Sequence, residues 1–456
     1  MDTVHSLDVR ISASLKVKSS CRTGKCFVAM RRIRRGELLL SEDAAAGVAL
    51  TSEVATSGRA PVQSSMAHLA WQVMKKMEED ATTKDGVSDL CSNLSMRSEE
   101  DVRDVMVEAR RVSAALGGVS VDRCAAVIDK LLCNVFTVTD PEMAPIGVGL
   151  YLQASKMNHS CCANASQSFI GKRLNIHATR NISTGEEVTI SYIDVGQPTF
   201  VRRHELLGSY HFWCDCVKCA TTDYCDGFNC TSPNCRGVCH LEKSVSHIKY
   251  SLYSSYPLHL PRSRKKLLWY HQLPYVYDLE NLLITISPNG TVFTKKTLPG
   301  TTPGCFLCSE CSRPVSLDEW LSMVNVLVKN RRAEKTATIT QCRKGVSLLR
   351  RHVCDNSYLV MEALNSLILR LIDAGQFAEA ASYSLQALPC FLVLYPTFSI
   401  VVAIQYYQQA KLCGFLGDIK NALRYIVKSI ECAAVVCGPT HELYLGAQAY
   451  KSTLLY

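Results

Sequence analysis

The chain has 456 residues, a formal net charge of +9, 47% hydrophobic and 20% charged side chains, which is enough for several cores rather than one minimal fold. Its positive side chains are distributed rather than gathered into a tail, which reads as general solvation and excludes a basic arm as the organising feature. The opening MDTVHSLDVRISAS lacks an apolar secretion segment and no uninterrupted membrane-spanning run follows, so an intracellular protein, cytoplasmic or nuclear and without a membrane partner, is expected.

In chain order, residues 17–42 carry turn signals and an apolar strand pattern, and 44–116 form an alanine-rich, helix-prone stretch. Its charged portion at 78–89 reads as loops or solvated helix surface. Residues 127–194 hold β-branched runs separated by Gly, Asn and Pro, the pattern of a compact strand-rich unit. Cysteines crowd 214–239 and recur at Cys305, Cys308 and Cys311, after which longer helical periods take over. In an intracellular setting the 23 cysteines read as metal ligands and buried side chains rather than disulfides. The sequons at Asn93, Asn158, Asn164, Asn181, Asn229 and Asn289 do not change that, because glycosylation also needs secretory exposure.

The chemistry concentrates in three places. LYLQASKMNHSCCAN sets Asn158, His159 and Cys161 beside two strand-like runs, and IHATRNISTGEEVTISYID offers a turn at Gly185 and then the alternating strand Val188, Ile190, Tyr192. Together they can bring amide, imidazole and phenol groups into one protected cleft. Taken singly, Asn158 could satisfy turn backbone groups, His159 could be a buried hydrogen-bonding residue and Tyr192 a packing residue. Cys214, Cys216 and Cys219 supply three corners of a tetrahedral zinc site that still needs a fourth ligand. Cys230, Cys235, Cys308 and Cys311 form a second tetrahedral set across a helical insertion containing KKLLWYHQLPYVYDLENLL. Cys225, Cys239 and Cys305 compete with these four for ligand roles.

These motifs resemble those of SET-domain methyltransferases, particularly the SMYD family. Asn158-His159-Ser160-Cys161 matches that family's cofactor and fold motif, and Gly185-Glu186-Glu187 leading into Tyr192 matches its catalytic strand. TGKCFVAMRRIRRGELLLSE resembles the first SET segment, with Gly24, Lys25 and Phe27 on the cofactor-binding turn and Cys26 where a second glycine is usual. The resemblance implies a protein-lysine methyltransferase using S-adenosylmethionine. It gives Asn134, Asn158 and His159 cofactor roles, makes Tyr192 the first catalytic choice, and makes Tyr210 and Phe212 aromatic walls around the lysine, with Tyr192 and Phe212 also near the cofactor. It also supplies Cys161 as the fourth ligand of the first zinc, a structural ion because four sulfurs leave no position for an activated water. Cys162 and Ala163 depart from the family's NHSCxPN phrase. A larger departure is that 44–120 contains only Cys91, so the usual MYND zinc module is absent there and its protein or DNA interactions are not carried over.

In the last region, AGQFAEAASYSLQAL and LGDIKNALRYIVKSI align Gly375 with Gly417, Ala380 with Ala422 and Tyr383 with Tyr425, each 42 residues apart. Such spacing points to paired helical repeats, similar to the helical C-terminal modules of the SMYD family, with a protein partner as their expected occupant. The expected fold is therefore α+β: the N-terminal part of a split β-rich SET domain at 1–43, a helical insertion at 44–120, the SET core at 121–209 and a Cys-rich post-SET region from 210–240. A helical linker at 241–304, the return of the Cys-rich region at 305–320 and a tetratricopeptide-like helical domain at 321–456 follow. The expected acceptor is a lysine-bearing protein, histone or nonhistone, and no nucleic-acid binding is required. The competing function is a catalytically weak scaffold or peptide reader, in which Cys26 impairs donor binding while the zinc fold persists.

Overall fold

The structure, a computed structural model, describes residues 8–20, 24–49, 65–221, 227–241, 306–315 and 338–455. Strands β1 (Val9–Ile11), β2 (Leu15–Ser20), β3 (Gly24–Ala29), β4 (Leu38–Asp43) and β5 (Ala46–Ala49) precede helices α1 (Ser65–Glu79), α2 (Ala81–Ser88), α3 (Glu99–Ala115) and α4 (Val121–Asn134). Strands β6 (Val135–Thr139), β7 (Pro145–Leu150), β8 (Asn158–His159), β9 (Ala165–Ile170), β10 (Arg173–Ala178) and β11 (Glu187–Ile190) follow. They form three small sheets ordered β1-β4-β10-β9, β2-β3-β11-β8 and β5-β7-β6. Because β4 pairs with β10 and β3 with β11, the two halves of the sequence close one unit and α1 to α4 are an insertion within it. Alternation in β11 buries Val188 and Ile190, which join Phe27, Leu40, Met157 and Ile176 in the core.

Two expectations are corrected. The start of the alanine-rich stretch is strand β5, paired along β7 with Gly47 opposite Gly149, so tertiary pairing overrides the helix propensity of alanine. Conversely, 127–134 is helix: Cys124, Val127, Ile128 and Leu131 are buried at helical spacing in α4, a short apolar run that periodicity alone cannot separate from a strand. The charged 78–89 stretch is mostly α2, started by Asp80, whose side chain accepts from the Thr82 and Thr83 amides, with Thr83 and Val87 buried.

After α5 (Thr199–Tyr210) and the short α6 (Val217–Ala220), strands β12 (Phe228–Asn229), β13 (Val238–Leu241), β14 (Phe306–Cys308) and β15 (Pro314–Val315) make a four-stranded ribbon. Asn229 Nδ2 ties this ribbon to the helical region by donating to the Arg350 and Val353 carbonyls at 3.1 and 2.9 Å. The expected helical linker at 241–304, with Cys225 and Cys305, lies outside the described residues apart from Leu241.

A C-terminal helical bundle completes the chain: α7 (Ile339–His352), α8 (Tyr358–Asp373), α9 (Phe377–Leu394), α10 (Ile400–Phe415), α11 (Ile419–Val436) and α12 (Glu442–Thr453). The turns after α8 and α10 place Gly375 and Gly417 at φ +70° and +74°, a conformation glycine adopts without steric cost. This is why those two glycines mark the 42-residue offset. By length and composition α9 is apolar enough to cross a membrane, and here it packs between α8 and α10 as a core helix. The bundle docks on the β-rich unit through Arg35, whose guanidinium lies 4.3 Å from the Phe398 ring centroid, and through Tyr358, whose hydroxyl donates to Asp194 Oδ2 at 3.0 Å.

Glu42 of β4 is 2% exposed and accepts the Gln153 and Ala154 amides, each at 2.9 Å. Burial pushes its carboxyl up from 4.5 to about 7 against the pull of those hydrogen bonds. A carboxyl raised in the folded state gives stability that is complete below its unfolded pKa and is lost as pH rises through the folded one. Glu42→Gln is therefore expected to remove about 3 kcal/mol of stability change between pH 4.5 and 7. Denaturant unfolding of both proteins across that range checks it, and parallel curves would rule it out.

Candidate functional site

The site lies where β8 meets β11. Their parallel pairing aligns Asn158 with Thr189 and His159 with Ile190, and the turn at Gly185, φ +80°, leads into β11 and Glu187, while Glu186 accepts the Ser183 amide at 2.9 Å and pairs with Arg180. Asn158 Nδ2 donates to Glu187 Oε1 at 2.8 Å. Asn164, at the end of the same quoted segment, fixes β11 by accepting the Thr189 amide and donating to the Glu187 carbonyl, both at 2.8 Å. This threading of one segment beside another is what the sequence separation left open.

His159 links that strand junction to the sulfur cluster. Its Nδ1 accepts the Tyr192 amide at 3.0 Å, and Nε2 lies 3.2 Å from Cys161 Sγ. The acceptor role of Nδ1 places the proton of the neutral ring on Nε2, pointing at sulfur. Burial holds the ring neutral, pushing its pKa down to about 4. Both ring nitrogens are thus engaged by the chain itself.

Four aromatic rings gather here. Tyr192 lies 4.9 Å from Tyr210, 5.3 Å from His159 and 6.5 Å from Phe212 between ring centroids, and Phe212 lies 5.9 Å from His159. The Tyr192 hydroxyl donates to the Met157 carbonyl at 2.6 Å. The Tyr210 hydroxyl has no hydrogen-bond partner among the described residues, and the Tyr210 backbone carbonyl accepts Asn93 Nδ2 at 3.4 Å. Burial pushes both phenols well above the usual tyrosine range, so each is a neutral hydrogen-bonding group at physiological pH.

The other expected cofactor residues are divided. Asn134, at the end of α4 and 7% exposed, donates both amide hydrogens to the Cys91 and Lys130 carbonyls at 2.9 and 2.7 Å, which leaves its oxygen as the open acceptor. Gly24 takes φ +68° at the start of β3, and Lys25 pairs with Asp89. The Phe27 side chain is 1% exposed in the β-rich core, so it is a packing residue there rather than part of the Lys25 surface. Cys26 is buried and is not among the residues with positive φ, so the absent second glycine imposes no backbone strain.

Sequence reasoning did not anticipate the stretch from Asp89 to Asn93, which runs from Lys25 past Asn134 to Tyr210. Asp129 anchors its far end, accepting Ser92 Oγ at 2.6 Å and the Asn93 amide at 2.9 Å, and pairing with Arg97 at 2.5 Å in a buried contact. Apart from the sequon at Asn93 these residues carry no motif, and only their tertiary position reveals their place at the site.

Both cysteine quartets converge. The sulfurs of Cys161, Cys214, Cys216 and Cys219 all lie within 4.8 Å of one another, as do those of Cys230, Cys235, Cys308 and Cys311. Cys161 and Cys219 are 3.5 Å apart, Cys230 and Cys311 3.7 Å, and Cys235 and Cys308 3.6 Å. Sulfurs about 2.3 Å from a tetrahedral zinc stand roughly 3.8 Å apart, so both sets have the size for that ion. The first quartet joins the β8 segment to the loop after α5, directly behind Tyr210 and Phe212. Arg202, 0% exposed, reaches Cys219 Sγ at 3.6 Å, and Lys218 Nζ donates to the Val195 and Leu394 carbonyls at 2.7 and 2.6 Å. The same loop therefore meets α9.

Comparison with known proteins places this geometry in context. Residues 24–193 match the SET domain family. A 94-residue segment is 46% identical to histone-lysine N-methyltransferase SMYD3 of Mus musculus, covering 21% of this chain and 22% of that protein. Over 376 residues the chain is 24% identical to histone-lysine N-methyltransferase ASHR1 of Arabidopsis thaliana, covering 78% of this chain and 67% of that protein. The solved SET domain of LSMT bound to lysine and AdoHcy superposes with a TM-score of 0.33 and 12% identity, over 98% of this chain and 88% of that one.

Proposed function

From a SET domain at residues 24–193 related to those of the SMYD lysine methyltransferases, we propose that this protein transfers a methyl group from S-adenosylmethionine to a lysine ε-amine of another protein. The observation that carries the reading is the junction of β8 and β11, where Asn158 and His159 lie beside the strand leading to Tyr192 and the Tyr210 and Phe212 rings close over it. The donor, when bound, supplies a methyl group on an electrophilic sulfonium.

The residues suit that ligand. The open amide oxygens of Asn134 and Asn158 accept from amino groups, and Lys25 offers a cation for a carboxylate. Tyr192, Tyr210 and Phe212 form walls that strip water from a lysine side chain and hold its neutral amine in line with the methyl group, which is where a transfer needing no acid catalyst gains most. Tyr210 contributes the uncommitted hydroxyl, while Tyr192 holds the Met157 carbonyl and orients its neighbours.

Both cysteine quartets are assigned structural zinc, since four thiolates leave no open position. The first would order the Tyr210–Phe212 wall against β8, and the second would hold the β12–β15 ribbon. The 42-residue offset of the helix pairs supports a tetratricopeptide-like module that recruits the substrate protein, histone or nonhistone.

Calorimetric titration tests the donor assignment. One equivalent of S-adenosylmethionine is expected to bind per chain, and Asn158→Ala is expected to weaken binding by about tenfold or more through a lost hydrogen bond and a stranded Glu187. Failure of the unaltered, folded protein to bind the donor would contradict the proposal.

A further inference from the structure

Asp89 closes α2 of the insertion. Its backbone N–H meets the Asp85 and Val87 carbonyls, while its carboxylate leaves the helix to pair with Lys25 of β3. Lys156 and Lys130 are the other cations whose charge bears on it, and both have further partners: Lys130 Nζ donates to the Val87 and Ser88 carbonyls at 2.9 and 2.6 Å, and Lys156 Nζ to Gln153 Oε1 at 2.9 Å. Asp89 is Lys25's one charged partner among the described residues.

The stretch Asp89 to Asn93 is held unequally at its two ends. Buried Asp129 fastens the Asn93 end with Ser92 and Arg97. The Asp89 end rests on an ion pair whose side chains are 41% and 37% exposed, and such a pair is weak and readily exchanged for another. Between these ends the Cys91 carbonyl receives the Asn134 amide, so the exchangeable pair borders the proposed donor site.

We infer that Asp89 occupies, on Lys25, the seat of the donor's amino-acid carboxylate, so that binding exchanges one carboxylate for the other and Asp89 sets donor affinity. This rests on the donor assignment above. Asp89 is a specificity-determining residue in this role: it touches Lys25 only when the donor carboxylate is away, and a ligand lacking that carboxylate has nothing to displace it with.

Calorimetry with the full, zinc-loaded chain separates the two readings, using S-adenosylmethionine and decarboxylated S-adenosylmethionine, which keeps the sulfonium and amine. Asp89→Asn preserves the backbone cap. It is expected to tighten S-adenosylmethionine about fivefold, the upper range for releasing an exposed pair, and to leave the decarboxylated ligand no tighter. Lys25→Gln is expected to weaken S-adenosylmethionine, and adding Asp89→Asn to it should change nothing more. The inference is overturned if Asp89→Asn weakens S-adenosylmethionine, as it would were Asp89 to hold the donor's ammonium, leaves it unchanged, or tightens both ligands alike. If the unaltered chain binds neither ligand, the donor assignment fails and takes the inference with it. Donor binding that ignores Asp89→Asn fails the inference alone.

Discussion

Tyr210→Phe is expected to lower kcat for lysine methylation by about 10²- to 10³-fold, the usual cost of deleting one hydrogen-bonding group aimed at a reacting centre, with little change in stability. The Tyr210 ring keeps its place in the variant, packed 4.9 Å from Tyr192 and carried by a backbone that Asn93 holds. Only the hydroxyl is lost, and that hydroxyl has no partner within the described residues to strand. Tyr192→Phe differs in kind, because its hydroxyl donates to the Met157 carbonyl at 2.6 Å. Its removal leaves a carbonyl unpaired at a cost of about 1 to 3 kcal/mol, so both rate and unfolding midpoint should fall. Steady-state kinetics and urea unfolding of the two variants separate a group that acts on the amine from one that holds the wall. A Tyr210→Phe enzyme within a fewfold of normal kcat would remove the hydroxyl from the reaction.

Cys161→Ser is expected to cut bound zinc by one ion per chain and to destabilise the protein by more than about 4 kcal/mol, the range reached when a structural metal is lost. Cys161 is the one member of its quartet that comes from the β8 segment; Cys214, Cys216 and Cys219 all follow α5. Without it the loop carrying Tyr210 and Phe212 loses its cross-link to His159, and methyl transfer should fall with the metal. Exposed Cys162, the next residue, provides the control: Cys162→Ser should keep the full zinc count. Zinc analysis of the purified variants with thermal melting decides it, and a Cys161→Ser protein holding both ions would contradict the assignment.

Much of the site could be read from the sequence because its parts are short motifs with fixed chemistry. Asn158, His159 and Cys161 lie within four residues, and the spacing of Cys214, Cys216 and Cys219 suits one metal. The second quartet was also legible, even though Cys235 and Cys308 are 73 residues apart, because thiols are scarce enough to be matched by type. The misread elements were those where tertiary contact outweighs local preference. Alanine-rich β5 becomes a strand only because β7 offers an edge, and 127–134 is helical because its apolar face packs inside the insertion. Phe27 falls in the cofactor motif by register, and its side chain is buried in the core of the β-rich unit. The wall from Asp89 to Asn93 was invisible for a further reason: its residues act through single hydrogen bonds and one ion pair to partners as far as 117 residues away, and nothing in their local sequence announces such contacts.

Methyl transfer itself is tested most directly by incubating the zinc-loaded protein with methyl-labelled S-adenosylmethionine and a lysine-rich protein extract, then analysing the acid hydrolysate for methylated amino acids. Label in Nε-methyl-lysine that disappears with Tyr210→Phe is the expected result. Donor binding without any labelled lysine across such extracts, by a fully folded protein, would contradict the enzyme assignment and favour a SET-fold scaffold.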